Sequence, residues 1–401
     1  MHSDMVKTLA RVLPKDYFYM FLCTLMFSSM LEANYSYSDY RDYPLTETEF
    51  KLEKISDGLN YPWGMTFLDN THLLITEKDG ALLKVNVGTG EKTSITHSIQ
   101  SIRFGGGGAS DQGGLLDVYA NTADGYIYFT YSHDLKKTAS QKQKERHSSS
   151  AIARGRLVNN EIVDLETLLI ATPSQKGKKH YGSRILIKDN FLYAGFGERD
   201  LGMIAQDPRK HPGSIVRINL DGTIPSDNPS STTRPNWLPE VYQIGVRNSQ
   251  GIALSPHDNE VYFSNHGPRG GDFVGVVKHS GNYGWKKIAW GGTEYSGFRI
   301  GTVPFSSEFE TPLITWVPSI GIGTIQFYEG SIFTDWEGDM LVSGLSGRCL
   351  VRLDFVDGRI AREEVIFKNK VGRIRDFEID AAGNIFLISD EGSSSLWRLT
   401  K

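Results

Sequence analysis

Along most of this chain, apolar residues come in short runs separated by turns rich in glycine, asparagine and aspartate. Gly64-Met65-Thr66-Phe67-Leu68 is followed by Leu73-Leu74-Ile75-Thr76, and Gly251-Ile252-Ala253-Leu254 by Val261-Tyr262-Phe263-Ser264. The pairing returns at Thr324-Ile325-Gln326-Phe327-Tyr328 with Asp339-Met340-Leu341-Val342, and at Asp376-Phe377-Glu378-Ile379 with Asn384-Ile385-Phe386-Leu387. A third run mixes apolar and basic residues, as in Leu82-Leu83-Lys84-Val85, Ile215-Val216-Arg217-Ile218, Leu350-Val351-Arg352-Leu353 and Leu396-Trp397-Arg398-Leu399. Short apolar runs bounded by turn residues read as strands. No amphipathic pattern of three helical turns is present. Six such units open near Pro62, Gly113, Gly182, Arg247, Gly323 and Gly372. A repeat of ~40–50 residues built from short strands is how a propeller blade is written. The pattern therefore predicts an all-β, six-bladed β-propeller; two stacked β-sandwiches explain the matched copies less well. Uneven spacing places insertions at residues 136–147 and 227–237. Residues 48–55 are expected to supply the outer strand of the last blade, which would remove a free sheet edge.

Composition narrows the class. Hydrophobic residues are 39% and charged residues 22% of the chain, a balance that predicts an ordered, soluble body. Net charge is -4 with no large basic block, which argues against nucleic acid as a partner. The N-terminus reads as an export signal: Lys7, Arg11 and Lys15 precede an apolar stretch at residues 17–30, and Ala33 is the expected last residue before cleavage. That stretch is shorter than the ~20 apolar residues of a membrane span. Stable membrane insertion is thus expected only if the segment is retained as an anchor, and a periplasmic or secreted location follows. The expected organisation is a signal at 1–33, a polar linker at 34–46 and the propeller at 47–401. Cys23 lies in the export segment, so Cys349 is the one thiol of the mature chain. A disulfide framework and a thiolate metal site are both excluded, and Cys349 reads as a small buried hydrophobe.

Short polar segments beside glycine flank the strand-like runs. They are Asp111-Gln112-Gly113-Gly114, His180-Tyr181-Gly182-Ser183-Arg184, Gly245-Val246-Arg247-Asn248-Ser249-Gln250-Gly251, Asn265-His266-Gly267-Pro268 and Arg373-Ile374-Arg375-Asp376. Distant in sequence but alike in setting, they are expected to converge on one central pocket fed by loops from several blades. His180 has the chemistry of a general base. Arg247 offers a fork of donors to a planar anion, or else a salt bridge between blades. Arg373 and Arg375, two apart on a strand, face the same side. Two such cations need an anion or carboxylates between them, and Asp376 and Asp380 are the neighbours available in sequence. Backbone carbonyls of the Gly267-Pro268 loop suit a hard cation such as calcium, with Asp272 either a further oxygen ligand or a turn residue. Trp285, Trp290 and Trp316 are candidates for stacking on a sugar ring, with core packing expected for at least two.

Over residues 52–399 these segments, in this order, resemble the glucose/sorbosone dehydrogenase family, which includes soluble quinoprotein glucose dehydrogenases and periplasmic aldose sugar dehydrogenases. The matches are Gln112-Gly113-Gly114-Leu115-Leu116-Asp117, Arg247-Asn248 with Gln250-Gly251, His266-Gly267-Pro268 with Gly271-Asp272, Asn282-Tyr283-Gly284-Trp285 and Arg373-Ile374-Arg375-Asp376. The resemblance implies a six-bladed propeller holding pyrroloquinoline quinone (PQQ) and calcium at the top of its axial channel. It implies oxidation of an aldose at C1 to a lactone, with an external electron acceptor. His180 would take the C1 hydroxyl proton while hydride passes to the quinone, and Arg247 would donate to the quinone oxygen. Gln112, Asn248, Gln250, Arg373 and Arg375 would contact the cofactor. The carbonyls of Gly267 and Pro268, with Asp272 beside them, would hold calcium. Three positions depart from the family pattern. Ser346 stands where a lysine is common, with Arg348 expected to reach the same place. Gly321-Ile322-Gly323-Thr324 replaces an Ala-Pro-Ser-Gly turn, and Phe273 replaces an acidic residue, leaving a second, structural calcium without its usual ligand. Ser346 motivates the alternative, a propeller that has lost the cofactor and binds a protein or glycan, as in the similar hedgehog-interacting proteins. A calcium-dependent lactonase would need several converging carboxylates, whereas this chain offers arginines, amides and carbonyls.

Overall fold

The computed structural model describes residues 36–38, 43–105, 110–135, 142, 145–356 and 358–401. The expected export segment at 1–33 and most of the insertion at 136–147 lie outside these residues. Among the described residues, no helix is long and apolar enough to cross a membrane.

Six sheets follow one another along the chain and form the blades of a propeller. Their innermost strands are Pro62–Asp69, Leu115–Asn121, Gly182–Lys188, Ser249–Leu254, Ile322–Phe327 and Ile374–Ile379. These begin within two residues of the units read from sequence. Each innermost strand packs on its neighbours, and that of the sixth blade lies against that of the first, so the ring is closed. The closing strand is Lys51–Leu59, antiparallel to Ser394–Thr400 with Leu52 opposite Leu399. It runs three to four residues later than the 48–55 read from sequence, because the chain just before it, at Leu45 and Thr46, is still paired with Val365 of the fifth blade. The fourth blade gains a fifth strand that sequence did not predict: Ser36–Ser38 runs parallel to Ile314–Trp316.

Burial explains the alternation of patterns. A central strand is covered on both faces by adjacent blades, so Met340–Gly344 and Ile385–Ser389 are buried at every position. Between the first two blades, Leu74, Leu82, Val118, Phe129 and Ala153 form one such apolar layer. Fully burying a Leu or Phe side chain is worth ~1.5–3 kcal/mol. The basic residues of the third strands point to acids nearby: Arg352 bridges Asp339 and Glu364 at 2.7 Å each, and Arg398 meets Glu53.

Every innermost strand breaks register with its neighbour near its first residues. The breaks fall between Pro62 and Met65, Leu115 and Val118, Gly182 and Ile185, Ser249 and Gly251, Ile322 and Ile325, and Ile374 and Asp376. Such bulges re-aim side chains, and here the re-aimed groups meet at the axis. Arg184 Nη1 donates to Asp117 and Asp376 at 2.8 Å each, while its Nε donates to the Gln250 carbonyl at 3.1 Å. Asp376 also accepts from Met65 N at 2.8 Å and from the Thr324 hydroxyl. One buried knot thus ties all six blades. Burial pushes the Asp117 carboxyl up to about 7, against the opposing pull of Arg184. Where the innermost strands end, a cavity of about 490 Å³ opens, lined among others by Leu254, Phe327 and Glu378. The sequence-predicted site loops lie at the other end.

Candidate active site at the mouth of the axial channel

His180 sits in the loop that feeds the innermost strand of the third blade, almost fully buried and at φ +50°. A left-handed backbone at a non-glycine residue is costly and persists only when its surroundings enforce it. Here they do. The His180 amide donates to Gln112 Oε1 at 2.8 Å, and its carbonyl accepts from Arg199 N at 3.3 Å. Arg199, against the Tyr181 ring at 3.7 Å, donates to carbonyls of Ser148, Gly177 and Lys179 and pins the loop from beneath. Gly197 passes so close to the His180 carbonyl that no Cβ fits there.

The imidazole has a partner that sequence reasoning missed. His180 Nδ1 lies 2.6 Å from Glu198 Oε1, with both side chains buried. An ionised carboxylate only accepts, so Nδ1 carries the proton and Nε2 keeps its lone pair. Burial, then the Arg247 charge, lowers the His180 pKa, with Glu198 opposing. The ring is therefore neutral near pH 7, with a free basic nitrogen. Glu198 is held in turn by the Gly202 amide, and its own amide donates to the Arg247 carbonyl at 2.9 Å. A signal existed in the string Gly197-Glu198-Arg199-Asp200 directly after an apolar strand.

Arg247 lies beside this pair. Its Nη1 donates to the carbonyls of His266 (2.7 Å) and Gly267 (3.0 Å), and the guanidinium lies 5.4 Å from the Trp285 ring centroid. Among the described residues it forms no ion pair, so the inter-blade salt bridge is not found. His266, which sequence placed in the Gly267-Pro268 loop without a role of its own, belongs to the same cluster. Burial first, then the charges of Arg247 and Arg375, push its pKa down to about 3, and its Nδ1 faces the Ile322 carbonyl at 3.2 Å.

Arg375 donates to Gln250 Oε1 at 2.6 Å and to Asp390 Oδ2 at 2.7 Å. The carboxylate between the cations is thus Asp390, not the Asp376 or Asp380 expected from proximity in sequence. Asp376 belongs to the axial knot, and Asp380 caps its own turn by accepting from the amides of Ala382, Gly383 and Asn384. Asp390 also meets Lys78 at 2.7 Å; burial would raise its carboxyl, but Arg375 and Lys78 hold it below the usual range. Burial lowers Lys78 to about 8, partly offset by Asp390. Arg373 is half-buried; its carbonyl accepts from Asp390 N at 2.8 Å, but its guanidinium makes no ion pair or hydrogen bond among the described residues and is lowered by burial and by Arg375. Arg348, at φ +48°, is exposed close enough to act on Arg373.

The amides divide their work. Oxygens of Gln112 and Asn248 hold the amides of His180 (2.8 Å) and Gly182 (3.0 Å). Their NH2 groups make no hydrogen bond within the described residues. Asp272 is fully buried and engaged within its own loops: its two oxygens accept from the amides of Gly267 (2.7 Å) and Ile322 (2.8 Å). Burial raises it to about 6. It shapes the loop whose Gly267 and Pro268 carbonyls were the expected cation ligands. Trp285, Trp290 and Trp316 are all buried.

The propeller, the buried histidine–glutamate pair and the surplus of guanidinium groups around it define a class, and comparison with known proteins names it. The family model described as Glucose / Sorbosone dehydrogenase matches residues 59–398. The chain belongs to this family of sugar dehydrogenases. It is 28% identical over 355 residues to the Escherichia coli aldose sugar dehydrogenase YliI, covering 87% of this chain and 92% of the relative. It is 27% identical over 289 residues to quinoprotein glucose dehydrogenase B of Acinetobacter calcoaceticus, covering 63% and 57%. The crystal structure of the E. coli soluble aldose sugar dehydrogenase, in its apo-form, superposes with a TM-score of 0.79 at 27% identity, covering 88% of this chain and 99% of that one.

Proposed function

We propose that this chain oxidises aldose sugars at C1 to lactones, using PQQ and calcium, in the periplasm or outside the cell. The observation that carries this reading is His180: buried, neutral, with Nδ1–H fixed on Glu198 and Nε2 free beside Arg247. Nε2 is the atom that accepts the C1 hydroxyl proton, and the imidazolium so formed is stabilised by Glu198.

The donor set fits a planar, polycarboxylated quinone. Arg373, Arg348 and the NH2 groups of Gln112 and Asn248 have no acceptor within the described residues, so an acceptor-rich ligand satisfies them. Gln250 and Asp390 fix Arg375, and the carbonyls of His266 and Gly267 fix Arg247, before any ligand arrives. Donors aligned in advance of charge development are usually the largest electrostatic contribution to catalysis. The bound quinone supplies a hydride acceptor, which no side chain can provide. The carbonyls of Gly267 and Pro268 are the proposed calcium ligands, while Asp272 supports their loop. The names of the E. coli and Acinetobacter relatives support both substrate class and cofactor. Export rests on the charged and apolar pattern of residues 7–33.

Dye reduction by the protein reconstituted with PQQ and calcium, assayed against a panel of aldoses, tests the reading. His180→Ala should lower turnover by ~10²–10⁴-fold, the usual contribution of a general base. Absence of quinone binding at micromolar cofactor would refute the redox reading and favour the non-catalytic binder.

A further inference from the structure

Beside the proposed base lies a second coordination chemistry. His180, Glu198 and Asp200 each offer a ligand atom, and the three atoms lie within 4.8 Å of one another. Asp200 stands on the exposed rim, where among the described residues its carboxylate meets only Lys179, at 3.3 Å. An imidazole nitrogen with two carboxylates suits zinc and its neighbours rather than calcium, which prefers an all-oxygen shell. We propose that these three residues form a site for a divalent transition metal, distinct from the calcium carbonyls, and that occupancy switches His180 off as a base.

The switch follows from the tautomer. With Nδ1 facing Glu198 Oε1 at 2.6 Å, an ion bound by both must take the place of the proton between them. A neutral imidazole coordinated through Nδ1 carries its hydrogen on Nε2. The nitrogen that would accept the substrate proton becomes a donor, although the ion never enters the substrate's space. No net proton is released, since the hydrogen only changes ring nitrogen. Asp200 gives up the exposed Lys179 contact, which is worth little in water. Arg247 opposes the ion's charge, so binding in the micromolar range is expected rather than tighter.

Inhibition rests on the catalytic reading given above; metal binding and the tautomer change do not. The probe is zinc, titrated into cofactor-free protein against a fluorescent zinc indicator. One ion per chain should bind at micromolar concentration, His180→Ala should abolish it, and Asp200→Asn should weaken it at least ~10-fold. Nitrogen NMR of labelled histidine should report Nε2 of His180 gaining hydrogen as zinc is added. In reconstituted enzyme, zinc should inhibit the wild type but spare Asp200→Asn, whose activity without zinc is unchanged, and excess calcium should not relieve the inhibition. Equal zinc affinity in wild type and Asp200→Asn, an unaltered His180 tautomer, or relief by calcium would each overturn the proposal. Zinc binding with the tautomer change but without sugar oxidation would uphold the metal site and count against the dehydrogenase reading alone.

Discussion

Glu198→Gln isolates the part of the site that sequence did not reveal. The substitution keeps shape and removes charge from an acceptor 2.6 Å from His180 Nδ1, where both side chains are buried. A hydrogen bond to a charged group contributes ~1.5–3 kcal/mol, roughly twice a neutral one. The charge itself is therefore worth ~0.75–1.5 kcal/mol, and at ~1.4 kcal/mol per factor of ten its loss should cost roughly 3- to 10-fold in kcat/KM. The pH profile gives a second, independent reading. Glu198 holds the His180 pKa up, while burial and Arg247 pull it down. Removing the carboxylate leaves only the weaker upward pull of Asp200 against burial and Arg247, so the acid limb of kcat/KM must shift to lower pH even as its plateau falls. The assay is dye reduction with the reconstituted enzyme from pH 4 to 9, with a melting curve showing that the fold persists. An unchanged plateau, or an acid limb that stays put or moves to higher pH, would refute the assignment of Glu198 as the group that orients and tunes the base.

Three further outcomes are expected. Arg184→Ala leaves Asp117 and Asp376 buried without their shared cation, and breaking such a group typically costs ~3–5 kcal/mol; a urea midpoint shift equivalent to less than ~1 kcal/mol would show that the axial knot is not structural. Asp272 has a folded pKa of about 6 against an ordinary 3.8, so between those values the folded chain holds a proton that the unfolded chain has lost. This group's contribution to stability is greatest at low pH and is lost as pH rises through 6, by up to ~3 kcal/mol at ~1.4 kcal/mol per unit. The stability difference between pH 4 and pH 7 should therefore change by that sign and order in Asp272→Asn, and equal differences in urea titrations would contradict it. Burial pushes the Cys349 thiol up to about 12. In Cys23→Ser protein it should resist thiol reagents at pH 8 until the chain unfolds, and prompt labelling of native protein would contradict its burial.

Much of the architecture was legible because strand signals are local. Period-two apolar runs and turn residues act over a few positions, so the six blade openings fell within two residues of the observed strands. The closing strand was legible too, because a leftover apolar run before the first unit had one unpaired partner at the chain's far end. The parallel addition of Ser36–Ser38 had no such signal, since three residues carry too little pattern to register. His180, Arg247 and the Arg373/Arg375 pair stood out because glycines surround them, and glycine marks where backbone turns or approaches closely. Glu198, Lys78 and Asp390 did not, for their roles exist only through partners that folding brings up from elsewhere in the chain, and His266 stood out only as part of its glycine loop.

The sequence by itself determined that this is a ring of six short-stranded sheets, that its polar loops gather at one end, and which family it resembles. Those properties depend on residue type and local spacing, and survive without coordinates. Which carboxylate answers which cation was decided by tertiary structure alone. Asp376 lies one residue from Arg375 yet bonds to Arg184, 192 positions away, while Asp390 takes Arg375 at 2.7 Å. Successive residues on a strand face opposite ways, so the nearest charge in sequence points into a different layer. Hydrogen bonds reach about three ångströms, and only closure of the ring brings the true partners within that distance.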